Sequence, residues 1–261
     1  MIDLNAAIGR WPFAAREPES PSQLTALLQR MGVQSAYVSP VEAILAPDPM
    51  PDIFRLCDEI DGSNVLQPAG VIDPTLTNAM AQMRRLVQNH PVKLVKLYPG
   101  FHGLAADDDR NVECVAAAAE EGILTAVLIR VEDDRNQPRL LRAGSVPIDE
   151  LVCLARKVAP VPVLALNATR HELMEMLDRA DNLFADIAFV ESWSSVPNLL
   201  EKIEAERLVF GSNTPFFYPQ AAGAKLANPE LTEDQRRMIG RSNAEALLTA
   251  IASGRDRPRR D

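Results

Sequence analysis

The run Ile123-Leu124-Thr125-Ala126-Val127-Leu128-Ile129 is apolar at every position but one. Side chains alternate between the two faces of a strand, so an unbroken apolar run means that both faces are buried, as in a parallel sheet covered by helices. Similar runs lie on either side of it, at residues 2–5, 33–39, 65–72, 92–98, 161–167, 183–187 and 207–211, and the central strand extends over 123–130. Helical periodicity fills the gaps, over residues 22–31, 52–60, 76–89, 111–121, 148–158, 171–178 and 196–205. Strand and helix alternating in this way are repeated βα units. Eight strands fit a closed (β/α)8 TIM barrel better than an open doubly wound sheet. The dinucleotide fingerprint G-x-G-x-x-G and the phosphate loop G-x-x-x-x-G-K, which mark many open sheets, are both absent.

Local signals agree with these boundaries. Pro147 opens a helix where its missing N–H costs little, and Gly32 and Gly122 follow helix ends that call for a left-handed residue. A further helical pattern over 230–252, ending in Gly254, is expected to cap the barrel. The expected organisation is one barrel domain over 1–254 and a charged, flexible tail over 255–261. A closed barrel of about 250 residues is one unit in this fold class.

The chain has 261 residues and a formal charge of -9, which argues against a broad nucleic-acid-binding face and favours a small-molecule partner. Cys57, Cys114 and Cys153 lie in apolar or helical runs without C-x-x-C spacing and read as buried reduced thiols. The chain runs from Met1 straight into a strand, and no apolar stretch reaches the ~18 residues of a membrane span. A cytoplasmic location, with no membrane partner, is the expectation.

Four stretches carry a family resemblance. The opening Ile2-Asp3-Leu4-Asn5-Ala6-Ala7-Ile8-Gly9 resembles I-D-x-H-x-H-x-G, and Phe210-Gly211-Ser212-Asn213-Thr214-Pro215 resembles F-G-S-D-x-P. Val95-Lys96-Leu97-Tyr98-Pro99 is followed by acids at Asp107–Asp109, and Asn243-Ala244-Glu245-Ala246-Leu247-Leu248 resembles N-A-x-x-L-(L/F). Together, in this order, they are similar to the amidohydrolase-related family of metal-dependent barrel hydrolases. The resemblance implies metal ligands at the ends of strands one, four, five, six and eight, and also a homodimer. Here those positions hold Asn5 and Ala7, Lys96, Arg130, Asn167 and Asn213. Only the strand-four lysine matches. Carboxamides are weak, uncharged donors, and a fixed guanidinium repels a cation, so no metal and no cofactor are expected.

In such barrels chemistry sits at the C-terminal ends of the strands. One reading puts the Arg130 guanidinium in the volume of the missing metal, donating to the amide oxygens of Asn5, Asn167 or Asn213 and making, with Lys96, a cationic mouth for a small anion. The other has Arg130 reach out to Glu132, Asp133 or Asp134. His102, in the glycine-flanked loop Tyr98-Pro99-Gly100-Phe101-His102-Gly103, is a candidate general base. Asp186 and Glu191 after strand seven supply carboxylates that could pair with Arg130 or Lys96 or move protons. Trp11 after strand one, Tyr98, and the later aromatics Trp193, Phe216, Phe217 and Tyr218 are candidate wall residues. His90 and His171 read as structural and exposed respectively. Two functions remain open: a metal-independent hydrolase or lyase of a small carboxylate-bearing molecule, with Lys96, His102 and Asp186 catalytic and Arg130, Asn5, Asn167, Asn213, Trp11 and Tyr98 binding; or a catalytically inactive barrel that binds a metabolite or protein partner.

Overall fold

The computed structural model describes residues 1–133, 135, 137, 143–191 and 194–254. Asp134, Trp193 and the 255–261 tail lie outside the described residues. The strands are β1 (Ile2–Ile8), β2 (Ser35–Pro40), β3 (Leu66–Pro68), β4 (Gly70–Val71), β5 (Leu94–Leu97), β6 (Leu124–Leu128), β7 (Val163–Leu166), β8 (Leu183–Asp186) and β9 (Leu208–Val209). The helices are α1 (Pro21–Arg30), α2 (Met50–Glu59), α3 (Ala79–Asn89), α4 (Pro99–His102), α5 (Asp109–Glu120), α6 (Ile148–Val158), α7 (Arg170–Leu177), α8 (Ser195–Leu200), α9 (Pro219–Leu226), α10 (Glu233–Arg237) and α11 (Asn243–Gly254).

All paired strands are parallel, in the orders β1-β2-β3 and β4 through β9. The single strand expected over 65–72 is interrupted at Ala69, just after Pro68, which has no N–H to give to a ladder. Ala69 N–H still donates to the Val38 carbonyl at 2.8 Å, so β3 and β4 act as one barrel strand passing from β2 to β5. At the other seam Leu4 N–H donates to the Phe210 carbonyl (3.1 Å), Asn213 N–H to that of Asn5 (2.7 Å) and Ala7 N–H to that of Thr214 (2.7 Å). Eight strands therefore close into a (β/α)8 barrel.

Burial follows the closure. Every residue of β1, β5, β6 and β7 is buried, as the continuous apolar runs require. Gly32 and Gly122 have φ of +75° and +73°, the left-handed conformation expected of them. The helix expected over 196–205 stops at Leu200. The one over 230–252 divides into α10 and α11 around a π-helical turn, Met238–Ser242. Asn243 Nδ2 donates to the carbonyls of Ala205 and Leu208, which fastens α11 under the N-terminal end of the barrel. Cys57 and Cys114 are buried, whereas Cys153 is half-buried rather than fully enclosed. No described helix is long and apolar enough to cross a membrane.

The register of β1 against β2 shifts between Asp3 and Ala6. The cause is chemical. Asp3 Oδ1 accepts from Asn5 N–H at 2.9 Å, taking that amide out of the ladder, and also from Ser212 N–H at 3.1 Å, which ties β1 to the end of β9. Asp3 is wholly buried, and burial raises its carboxyl above the usual carboxylate range, against hydrogen bonds from Ser212 and Asn5 and the Lys96 charge. Replacing Asp3 by Ala strands two buried amides and is expected to cost about 2–4 kcal/mol. Asp3→Asn keeps an acceptor oxygen and should cost about 1 kcal/mol or less, a contrast that urea denaturation of the two variants measures.

Candidate functional site

Lys96, Arg130, Asn167, Asp186 and Asn213 lie at or beyond C-terminal strand ends, whereas Asn5, expected at the end of the first strand, lies in the middle of β1, which runs on to Ile8; all six are buried. Asn167 and Asn213 have φ of +63° and +52°. Asparagine tolerates this left-handed conformation better than most residues, and here it turns each chain sharply as it leaves the barrel. Three of the side chains form one network. Asn5 Nδ2 donates to Asn167 Oδ1 at 2.8 Å and to Asp186 Oδ2 at 2.7 Å, while Asn167 N–H donates to Asp186 Oδ1 at 2.9 Å. A Cβ on Gly211 would lie 2.4 Å from Asp186 Oδ2 and 3.0 Å from Asn5 Cβ, so glycine is required for this close approach. Asn213 joins through the backbone, and its Nδ2 donates to the Val131 carbonyl at 2.9 Å.

Arg130 turns inward, but not as expected. Its Nη1 donates to the backbone carbonyl of Asn167 (2.8 Å) rather than to any of the three carboxamide oxygens, of which that of Asn167 is taken by Asn5 Nδ2. Glu172 takes the guanidinium fork in a bidentate pair, at 2.7 Å to Nη1 and 2.5 Å to Nη2. Ser145 Oγ accepts from Nε at 3.1 Å, and the Phe189 ring lies 5.2 Å from the guanidinium carbon. The surface alternative is corrected for Glu132, which pairs with Arg16 at 2.6 Å, and for Asp133, which pairs with Arg135; Asp134 lies outside the described residues. Burial raises the Glu172 carboxyl, yet the Arg130 hydrogen bonds and those from Thr169 outweigh it and hold the group below its ordinary range. Glu172 was not foreseen from the sequence, although Thr169-Arg170-His171-Glu172 is a capping box that begins three residues past the end of β7.

The mouth is therefore not the cationic funnel expected. Arg130 is neutralised by Glu172, and the fully buried Lys96 amine sits in the field of Asp3 and Asp186 while donating to the Ala6 carbonyl at 2.7 Å. Desolvation lowers Lys96 to about 8, against the pull of those two carboxylates. Desolvation likewise pushes Asp186 up to about 6, against its hydrogen bonds from Asn167 and Asn5. Asp186 pairs with neither Lys96 nor Arg130 directly.

His102 lies in the helical turn α4 rather than in a loop, because Pro99 and the left-handed Gly103 bracket one turn. Its Nδ1 is 3.7 Å from Asp73 Oδ1, too far for a hydrogen bond, and the Ile44 carbonyl also acts on the ring. Burial lowers its pKa, with Asp73 opposing. The structure groups it with Asp73 and Tyr98, whose ring is 6.3 Å away, rather than with the Asn5–Asp186 network. Tyr98 is buried, and desolvation raises its hydroxyl, with Ser39 opposing. Trp11 does form a wall: it packs edge-on against Phe13, Phe101 and Phe216, with centroids 5.2–6.0 Å apart. Phe217 stacks with Phe189, and Tyr218 points into solvent, 83% exposed. An apolar groove of about 860 Å³ lined by Pro160, Phe184 and Leu247 opens at the N-terminal ends of the strands, opposite this site.

The donor set does not fit a divalent cation. Among the described residues no three His, Cys, Asp or Glu side chains converge. Asn167 Oδ1 and Asp186 Oδ2 both point at the Asn5 amide nitrogen, so a hydrogen-bond donor takes up the lone pairs that a cation would need.

Two expectations follow. Above the ordinary carboxylate range and up to about 6, folded Asp186 holds more protons than the unfolded chain, so stability falls as pH rises through that window. Between about 8 and the ordinary lysine value, folded Lys96 holds fewer, so stability climbs with pH there. Melting curves across pH should show a trough between about 6 and 8, and Asp186→Asn should flatten its acid limb. Glu172→Ala, which leaves Arg130 buried and unpaired, should cost about 3 kcal/mol in urea denaturation, with Glu172→Gln costing less.

Comparison with known proteins agrees with this architecture. Residues 164–249 match the amidohydrolase family model. No curated protein matches the sequence significantly. A TIM-barrel protein from Bordetella bronchiseptica superposes with a TM-score of 0.72 at 16% identity, over 97% of this chain and 99% of that one. The 5-carboxyvanillate decarboxylase of Sphingomonas paucimobilis gives 0.70 at 13% identity, over 95% and 98%. A dihydroxybenzoic acid decarboxylase from Polaromonas sp. JS666, with bound manganese and the inhibitor 2-nitroresorcinol, gives 0.68 at 13% identity, over 95% and 96%. At these identities the likeness establishes the fold. The amidohydrolase resemblance read from the strand ends is thus matched by the family model over residues 164–249, and the barrel fold is shared with these structures over nearly the whole chain.

Proposed function

We propose that this protein binds a small carboxylate-bearing molecule at the C-terminal mouth of the barrel and acts on it as a hydrolase or lyase without a catalytic metal. The observation that carries the reading is the pair Lys96 and Asp186. Both are wholly buried at strand ends, and their proton affinities are drawn toward neutrality, to about 8 and about 6. Burying two ionisable groups without a direct ion pair costs stability, and such groups concentrate where proton transfer is needed. Lys96 supplies the positive charge for a substrate anion or a developing oxyanion, and Asp186 exchanges the proton. Asn5 and Asn167 hold Asp186 in place, while Trp11 and Tyr98 exclude water. His102, set apart against Asp73, is assigned no step. Arg130, already paired, orders the strand ends rather than gripping the ligand. The two decarboxylases of similar fold act on carboxylates named in their own descriptions, which favours the lyase branch.

One observation favours a catalytically inactive binding barrel instead: the Arg130 fork, which would recognise a carboxylate, is filled by Glu172. Thermal shift against a panel of aliphatic and hydroxybenzoic acids separates the two. The proposal expects a melting shift that Lys96→Gln abolishes, turnover of the stabilising acid with limbs near the Lys96 and Asp186 values, and purified protein with far less than one equivalent of zinc, manganese or iron. Absence of any shift across the panel overturns it in favour of the inactive barrel.

A further inference from the structure

Lys96 is the most costly residue of the barrel interior. Its side chain is among the largest that are fully buried, its amine has one neutral partner, the Ala6 carbonyl, and no carboxylate oxygen is recorded within 4.0 Å of it among the described residues. An ammonium so placed is poorly compensated, and desolvation brings the neutral amine within reach near neutral pH by lowering the group to about 8. A desolvated amine at the C-terminal end of a barrel strand exchanges readily between the cation that binds an anion and the neutral amine that acts as a nucleophile. Lys225 offers the contrast within the same chain. It is also driven to about 8 by desolvation, but its amine is held by two carbonyls, Ile187 at 2.8 Å and Ala188 at 2.7 Å, just past the end of β8.

We infer that Lys96 is a carbonyl-reactive amine, which forms a Schiff base with a small 2-oxo acid at the barrel mouth. The inference rests on the carboxylate-binding reading above and names the second group that the substrate must carry. The Lys96 Nζ lone pair attacks the carbonyl carbon, the C=O π electrons move to oxygen, and one proton passes from the new ammonium to that oxygen to give a neutral carbinolamine. That hydroxyl then takes a second proton and leaves as water as the nitrogen lone pair closes the C=N bond. No oxidant or reductant is consumed.

The proton donor is Asp3, whose carboxyl burial pushes above the usual carboxylate range, which lies close enough to Lys96 to act on it electrostatically, and whose Oδ2 is buried without a hydrogen-bond partner. Asp186 suits this step less, because both of its oxygens already accept hydrogen bonds. Trp11 Nε1, a second buried polar atom without a partner, is the uncommitted donor in the wall for the acid's carboxylate.

The test is reductive trapping of the full-length protein with pyruvate or glyoxylate and cyanoborohydride, followed by intact mass and peptide mapping. The expected result is a single adduct, equal to the acid less one oxygen, on the peptide carrying Lys96, and its loss in Lys96→Arg with circular dichroism unchanged. Should Lys96→Arg not fold, the wild-type peptide map decides alone. No adduct, or an adduct confined to Lys93, Lys157, Lys202 or Lys225, overturns the inference. Lactate, which has the carboxylate but no carbonyl, separates the two readings. A melting shift with lactate but no adduct with pyruvate removes the Schiff base and leaves the carboxylate site. No shift with either acid and no adduct removes both.

Discussion

A closed parallel barrel has no edge at which a backbone amide can be left to solvent, so everything here depends on the seam where β1 meets β9. The seam is closed by backbone bonds from Leu4, Ala7 and Asn213 together with one side chain, Asp3, which accepts from both sides of the joint. A carboxyl in that position fixes the bulge of β1, and the bulge carries Asn5 at its end. The placement of Asn5 then decides the rest of the mouth, because its amide group is the point on which Asn167 and Asp186 converge.

That network explains how a barrel of this type stays intact with carboxamides at its strand ends. A cluster of carboxylates and imidazoles needs a cation to hold it together. Carboxamides carry donors and acceptors on one side chain, so they satisfy one another and need no ion. Of the remaining charges Arg130 is balanced by Glu172, while Lys96 has only the diffuse field of two buried carboxyls. The outcome is a mouth rigid in its hydrogen bonds but unbalanced at one point, the Lys96 amine.

The barrel was legible in the sequence because its signal is repetitive. Eight apolar runs at βα spacing admit few alternatives, and the run 123–129 could only be a strand buried on both faces. The left-handed glycines at 32 and 122 were legible for the same kind of local reason. The site was legible only as a set of positions. Asn5, Asn167, Asp186 and Asn213 were named from strand ends, and they do come together. The partner of Arg130 was not foreseen, because attention went to acids next to it in the chain while Glu172 lies 42 residues away. His102 was placed in a loop because glycines flank it on both sides, where the proline before it makes a helical turn.

What the sequence by itself determined is the set of strands, their order and the residue types at their ends, since hydrophobic periodicity and cap chemistry act over a few neighbouring residues. Which way each polar side chain turns was decided only in the tertiary structure. A buried donor must find an acceptor within about 3 Å, and that choice depends on residues brought together from opposite ends of the chain. Asn5 therefore belongs to Asp186, Asp3 to Ser212 and Arg130 to Glu172 for a geometric reason that no local pattern encodes.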